Sequence, residues 1–395
     1  MMKVTMKILT VHNRYQQAGG EDNVVAAETK LLADHGHKVE LWNVDNKDLP
    51  GGITGKINTA LSTSYSSASR ALARKKIQSF KPDIVHVHNF FPQISPSIYD
   101  ACLDENIPVI QTLHNYRLIC PGAMLMRDGK ICEQCISGSP YQAVKYGCYR
   151  GSKLGSLVVA HMVAQHRKLG TWQHKVTRFI ALTYFAKSKF VEAGFPVDKI
   201  SVKANFVNDP SQEHAQLERT VPGFALFVGR LSEEKGLKTL LKAWSTLDKP
   251  ILLQIAGSGP LADLLPDQNN IKALGHQSAD DISLLMRQAL FLILPSEWYE
   301  GFPLVLVEAF AHGLPILASR LGSMADVIND GETGLLFESG NPDDLASKIR
   351  WLVDNQEKCQ RLGNNARLAY LANYTAERNL QQLIEIYQQA IEGQT

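Results

Sequence analysis

The sequence predicts an α/β protein built from two doubly wound parallel sheets that face a cleft. Three observations carry this. Short apolar runs alternate with amphipathic segments in two successive series. A polar stretch with two prolines, 208–222, separates the series. The 395 residues suffice for two domains, each with its own core. The predicted division is 1–207 for an N-terminal domain with a cysteine-bearing insertion at 115–151, 208–222 for the linker, 223–374 for a C-terminal domain and 375–395 for a terminal helix.

In the first series, 7–12 reads as a strand and 21–35 as a helix, with Gly19 and Gly20 in the loop between them. Such a unit brings backbone N–H groups near a phosphate, although it lacks the GxGxxG spacing and a plain turn is the alternative. Residues 38–42 form a second strand, and 51–69, rich in Gly, Ser and Thr, a mobile loop. A helix over 69–80 precedes strands at 83–88 and 108–113, whose ends carry His86, His88 and His114. The segment 115–151 shows no clear periodicity. A helix at 153–169, a strand at 178–183, a helix at 187–193 and a strand at 200–203 complete this half.

The second series opens with a strand at 224–228, a charged loop at 229–236 and a helix at 237–247. The next strand, 251–255, runs into Ala256-Gly257-Ser258-Gly259-Pro260, a tight turn open to a ligand. Further strands are expected at 271–274, 289–294 and 315–318, and helices at 342–353, 356–372 and 376–391.

The most informative stretch is 296–313, SEWYEGFPLVLVEAFAHG. The apolar run before it stops at Pro295, as a buried parallel strand does at its carboxyl end. Pro303 suits the first helical position and Gly313 the position just past the helix. The residues between are apolar on every side, the pattern of a helix buried all round, apart from Glu308 in its middle. An unpaired buried charge is costly, so Glu308 needs a donor or a polar ligand beside it. Glu300 lies eight residues earlier, at the hand-over from strand to helix, where the N–H groups of Gly301, Phe302 and Leu304 face an anion. Upstream, the loop from Gly229 to Gly236 places Arg230 and Lys235 five residues apart around a turn. Together they can neutralise a diphosphate. The alternative is a solvated loop whose cations pair with Glu233 and Glu234.

Taken together, GRLSEEKG, AGSGP, EGFPLVLVEAFAHGLP with its E-x7-E pair, and GETGLLF at 331–337 resemble the retaining glycosyltransferases of family 4, which have the two-domain GT-B fold. The glycine loop, KPDIVHVH and His114 agree with this in the first half. The resemblance implies a UDP- or GDP-sugar donor held mainly by the C-terminal domain, with the acceptor on the N-terminal side and 375–395 crossing back onto that domain. Arg230 and Lys235 would bind the diphosphate and stabilise the departing nucleotide. Glu308 would hold the ribose, Glu300 the sugar hydroxyls, and Gly229, Gly257, Gly301, Phe302, Pro303 and Leu304 would line the donor site. Gly19 and Gly20 would close over the phosphates, and His114 would approach the donor sugar. A front-face mechanism needs no enzyme nucleophile, and with no D-x-D motif no bridging metal is expected. Pro303 departs from the glycine frequent in the family, removing an N–H that could contact the sugar.

Cys120, Cys132, Cys135 and Cys148 form a C-x11-C-x2-C-x12-C series, able to hold a structural zinc or to remain reduced buried thiols. From Gln134 to Val191 there is no acidic residue against nine Lys and Arg. With the aromatic residues interleaved there, the 145–189 region suits an anionic membrane surface or a lipid-linked acceptor, with a scattered solvated face as the alternative; no nucleic-acid module appears. No secretory or spanning segment is read, so a cytoplasmic protein, peripheral on the inner face of the membrane, is expected in surface polysaccharide or glycolipid assembly. Two rival readings are a metal-dependent hydrolase using His86, His88 and His114, and a non-catalytic nucleotide-sugar-binding protein.

Overall fold

A computed structural model of the chain describes residues 5–15, 19–49, 51–210, 223–248 and 251–393. The chain divides into two compact units. The first comprises Met1–Leu125, Cys132–Ala204 and Asn379–Thr395, and the second Met126–Ile131 and Asn205–Arg378.

In the first half the elements run β1 (Lys7–Arg14), α1 (Gly20–Asp34), β2 (Lys38–Asp45), α2 (Gly52–Ser64), α3 (Ser67–Phe80), β3 (Ile84–Asn89), α4 (Ser97–Asp104) and β4 (Val109–Leu113). After β4 come a two-residue hairpin, β5 (Met126–Arg127) and β6 (Lys130–Ile131), and the short helices α5 (Gln134–Ser137) and α6 (Gln142–Tyr146). Then follow α7 (Lys153–Lys168), α8 (Thr171–His174), β7 (Arg178–Ala181), α9 (Tyr184–Glu192) and β8 (Ile200–Val202). The sheet order is β2-β1-β3-β4-β7-β8, with every pair parallel. β3 and β4 are buried along their whole length, as strands covered on both faces are, even though β3 carries His86 and His88 and β4 carries Gln111 and Thr112.

The second half runs β9 (Phe224–Val228), α10 (Leu237–Trp244), β10 (Leu252–Ala256), β11 (Ile271–Gly275), α11 (Ala279–Gln288), β12 (Phe291–Leu294), α12 (Leu304–Ala311), β13 (Ile316–Ser319), α13 (Gly322–Val327) and β14 (Leu335–Phe337). Three helices close the chain: α14 (Pro342–Asp354), α15 (Gln356–Asn373) and α16 (Ala376–Glu392). The order β11-β10-β9-β12-β13-β14 is again all parallel, and it reverses between β9 and β12. Successive residues of β9 serve opposite faces: Ala225 and Phe227 pack with Leu237, Leu240 and Ile349, and Phe224 and Leu226 with Leu306, Phe310 and Ala366.

Helix α16 belongs to the first unit over most of its length. Leu383, Ile386, Tyr387 and Ala390 join one buried cluster with Met6, Ile8, Ile84, Ile110 and Ile180. Crossing back to this sheet thus covers strands that would otherwise face water.

Two sequence expectations change. The stretch 51–69 is not a loop but helix α2 and the start of α3. Its hydroxyls bond within the helix, Thr59 to the Gly55 carbonyl at 3.0 Å and Thr63 to the Thr59 carbonyl at 2.7 Å, which removes the polar cost that composition suggests. Helix α12 is not buried all round: Leu304, Val305 and Glu308 form a half-exposed stripe, and Pro303 is its N-cap rather than its first residue. Of the expected linker, 211–222 lie outside the described residues. Just before them, Asp209 pairs with Arg367 at 2.7 Å, and the Val207 carbonyl accepts from Tyr370 at 3.0 Å.

Leu383 is fully buried. Leu383→Ala is expected to destabilise the first unit by about 2–5 kcal/mol, read as a lower urea midpoint. An unchanged midpoint would mean that α16 does not seal this core.

Candidate functional site

In the second unit the polar residues collect where β9, β10 and β12 end, the edge at which doubly wound sheets bind ligands. The loop after β9 packs backbone to backbone on the turn after β10: Leu231 N–H donates to the Ser258 carbonyl at 3.0 Å. Two glycines make this possible. Gly236 has φ +71°, and a Cβ there would lie 1.8 Å from the Pro295 carbonyl oxygen; one on Gly257, at φ +150°, would lie 1.8 Å from that of Gly229. Gly257 therefore serves loop packing, whatever else it contacts.

This packing aims Lys235 across to the chain after β12. Its ammonium donates to the Glu300 carboxylate at 2.6 Å and sits 5.6 Å from the centre of the Trp298 ring. The Ser296 hydroxyl donates to the same carboxylate oxygen at 2.7 Å, and Glu300 is buried. The pairing of Lys235 with Glu233 or Glu234 allowed by the sequence does not occur: Glu233 pairs with Lys238 at 2.8 Å, and Glu234 accepts from the Ser232 hydroxyl at 2.5 Å. Lys235, Ser296, Glu300, Pro303, Val305 and Val228 line one concavity. Arg230 stands outside it, exposed, with no side-chain partner among the described residues.

Helix α12 rises directly from this chain. Gly301 accepts from the Ser323 hydroxyl at 3.1 Å, Phe302 packs 6.3 Å from the ring of Tyr374, and Leu306 N–H donates to the Pro303 carbonyl at 3.0 Å. Glu308 shares a face with Leu304 and Val305, one turn on. Its carboxylate has no side-chain partner among the described residues, and burial pushes its pKa above the ordinary carboxylate range.

The remaining predicted residues fall in the first unit. Gly19 caps α1, its N–H donates to Asp22 at 2.9 Å, and a side chain there would meet nothing within 4 Å among the described residues; Gly20 is the first helical residue. His114 follows β4 and lines a second concavity with His88, Asn89, Asn115 and Arg117. His114 Nε2 and His88 Nδ1 are 2.9 Å apart, and burial holds both imidazoles well below their usual pKa. Behind His88 stands Glu28, 3.7 Å away, which is ion-paired with the buried Lys203.

The arrangement argues against a metal-dependent hydrolase. Ligand atoms of Glu28, His86 and His88 do lie within 4.8 Å of one another. But His86 spends both ring nitrogens, one on Tyr387 and one on Thr112, each at 2.7 Å, and the Lys203 ammonium already neutralises Glu28.

Sequence reading missed Lys203, Glu28, Tyr15 and Glu21. The Tyr15 hydroxyl donates to Glu21 at 3.0 Å, Asn115 reaches the same oxygen at 3.4 Å, and burial pushes the Glu21 carboxyl up to about 8. The only signal was position: Glu21 follows the glycine pair, and Lys203 ends an apolar strand.

Residues 18–209 match the family model described as Glycosyltransferase Family 4, and residues 209–369 that described as Glycosyl transferases group 1. An uncharacterized glycosyltransferase of Methanocaldococcus jannaschii is 37% identical over 150 residues, 36% of this chain and 42% of that protein. The chain thus spans less than half the length of that curated relative. Among solved structures, a glycosyltransferase from Rickettsia africae matches with a TM-score of 0.72 at 18% identity, over 98% of this chain and 99% of that one. Anabaena HepE in complex with UDP matches with a TM-score of 0.67 at 18% identity, over 96% and 99%. At that identity the structures speak for the fold alone.

The histidines set a pH dependence. In the folded state burial depresses His86, to about 4, and His88 and His114 below their ordinary value, so the unfolded chain binds more protons as pH falls. The histidines' contribution to stability should therefore be full above about pH 6.5 and fall below it by about 1.4 kcal/mol per pH unit for each such group, opposed by Glu21, whose raised carboxyl adds stability as pH falls from about 8. The urea midpoint is expected to drop between pH 7.5 and pH 5, and to drop less in His86→Asn. A drop no smaller in His86→Asn than in the unaltered chain would contradict the assignment.

Proposed function

As the chain belongs to the family 4 glycosyltransferases of two-domain GT-B architecture, we propose that it moves a sugar from a nucleotide-sugar to a glycan or lipid-linked acceptor with retention of configuration. The observation that carries this is the half-exposed stripe of α12: Glu308, without a side-chain partner among the described residues, shares it with Val305, which lines the concavity of the Lys235–Glu300 pair at the reversal point of a doubly wound sheet.

In this reading Glu308 accepts hydrogen bonds from the ribose hydroxyls of a UDP- or GDP-sugar. The UDP bound to Anabaena HepE supports a nucleoside diphosphate as the ligand class. Lys235 and Arg230 face the diphosphate, where negative charge grows as the glycosidic bond to phosphate breaks. Glu300 holds the ammonium of Lys235 in place, so that charge needs no reorganisation during the reaction, and its second oxygen is left for a sugar hydroxyl. The N–H groups at the start of α12 add a further anion-facing set. These cations supply the electrostatic role that a metal serves in other transferases, so transfer is expected to be metal-independent. His114, held neutral, acts as a hydrogen-bonding group towards the donor sugar rather than as a cation.

The acceptor reading rests on the surface of α6 and α7. Tyr141, Tyr146, Leu154, Leu157 and Leu169 are exposed there beside the exposed Lys145, Arg150, Lys153 and Lys168, within a stretch that lacks any acid. Apolar and aromatic groups ringed by cations fit the headgroup region of an anionic bilayer, and hence a peripheral position on the inner membrane face and a lipid-linked acceptor in surface glycan assembly. No helix among the described residues is long and apolar enough to cross a membrane.

Glu308→Ala and Lys235→Ala should each weaken UDP or GDP binding about tenfold, the loss of about 1.4 kcal/mol expected for a hydrogen bond to a charged group. His114→Ala should leave that affinity intact and lower turnover. Calorimetric titration decides it: unchanged nucleotide affinity in both of the first pair removes the donor-site assignment. For the membrane, vesicles containing anionic lipid should retain the protein at low salt and zwitterionic vesicles should not, with retention reduced in Lys153→Glu/Leu154→Glu. Equal behaviour on both vesicles would sink the attachment.

A further inference from the structure

We propose that Cys120, Cys132, Cys135 and Cys148 bind a single zinc ion that organises the 115–151 segment. Its regular structure is slight, although Tyr116, Ile119, Leu125, Ile136 and Ala143 are buried. Its regular elements are two strands of two residues and helices of four and five residues, too short to persist alone. The four thiols nevertheless converge. Cys120 and Cys148 face each other across Gly122, where an added side chain would find Cys120 Sγ and Cys148 Cβ each at 3.7 Å and the Cys148 carbonyl at 3.3 Å. Cys135, buried in the first turn of α5, has Cys120, Cys132 and Cys148 as electrostatic neighbours. Four cysteines brought into one neighbourhood, two of them a C-x2-C pair, offer the donor set of a closed tetrahedral zinc site.

The surroundings suit the charge of such a site. Four thiolates around Zn²⁺ leave a net double negative charge, and the Arg167 guanidinium reaches in from α7 to donate to the Cys135 carbonyl at 2.8 Å and the Gly138 carbonyl at 2.9 Å. Binding would displace the thiol protons and close the sulfurs to about 3.8 Å from one another, the edge of a tetrahedron with Zn–S of about 2.3 Å. Among the described residues the only three ligand groups already within 4.8 Å are Glu28, His86 and His88, so the sulfurs draw in as the metal enters.

Elemental analysis of the full chain, purified without chelator, is expected to give one equivalent of zinc, falling at least fivefold in Cys135→Ser. Should that variant fail to fold, the unaltered chain reconstituted with cobalt(II) provides the second measurement, with the thiolate charge-transfer and tetrahedral d–d bands expected. Absence of zinc together with no thiolate–cobalt spectrum overturns the proposal, as does a folded Cys135→Ser that keeps its zinc.

Discussion

Sealing a parallel sheet on both faces leaves only the strand ends for chemistry, and both units obey that constraint. β3, β4, β12 and β13 are buried from end to end, so no polar group can stand in their middles without a partner. Where a polar side chain does lie within a strand, as His86 does, both of its nitrogens are consumed by Tyr387 and Thr112. Groups with capacity to spare come after the last ladder bond: His114 beyond β4, Arg230 beyond β9, Ser296 and Glu300 beyond β12. Tight turns then decide which of these meet. Lys235 reaches Glu300 only because Gly236 and Gly257 let three backbone segments approach closer than any side chain would allow.

In the first unit the same constraint produces a buried chain of polar groups. Glu28 on α1 and Lys203 beyond β8 form an ion pair with almost no solvent contact. Removing either partner would strand a charge and cost about 3–5 kcal/mol, although the pair itself need not stabilise the fold relative to an apolar replacement. What it does provide is orientation. Glu28 stands behind His88, His88 bonds to His114, and His114 reaches the concavity. α16 closes the other side through Tyr387, so the last helix of the chain sets the position of His86 as well as covering the sheet.

Strand positions, the helix after Pro295 and the strand-end placement of Glu300 and Arg230 were legible because they depend on local pattern: apolar runs, prolines and glycines at fixed offsets. Partners were not. Whether Lys235 pairs with Glu233, Glu234 or Glu300 is decided by the turn after β10, and no spacing within 229–236 encodes it. Lys203 and Glu28 are 175 residues apart, so neither announces the other. The helix at Gly52–Ser64 was hidden for a different reason: its threonines satisfy their hydroxyls on the preceding turn of the same helix, which a composition that otherwise reads as loop does not show. Likewise the even apolar run of α12 disguised its half-exposed stripe, because leucine and valine occupy the open side together with Glu308.

Pro303 gains meaning from its place as N-cap. A proline there has no N–H to offer, so the anion-facing donors of α12 begin at Leu304, one residue later than a glycine would permit. At the same time its ring is buried and lines the concavity with Val305, next to Glu300 and Lys235. The exchange trades a hydrogen-bond donor for apolar surface at the point nearest the Lys235–Glu300 pair. A ligand group held against Pro303 is therefore favoured when it presents carbon rather than a hydroxyl, while polar contacts are displaced towards Glu300 and the first turn of the helix. Under the proposed function, selectivity among sugars would follow from where the helix begins to donate, which the single residue before it controls.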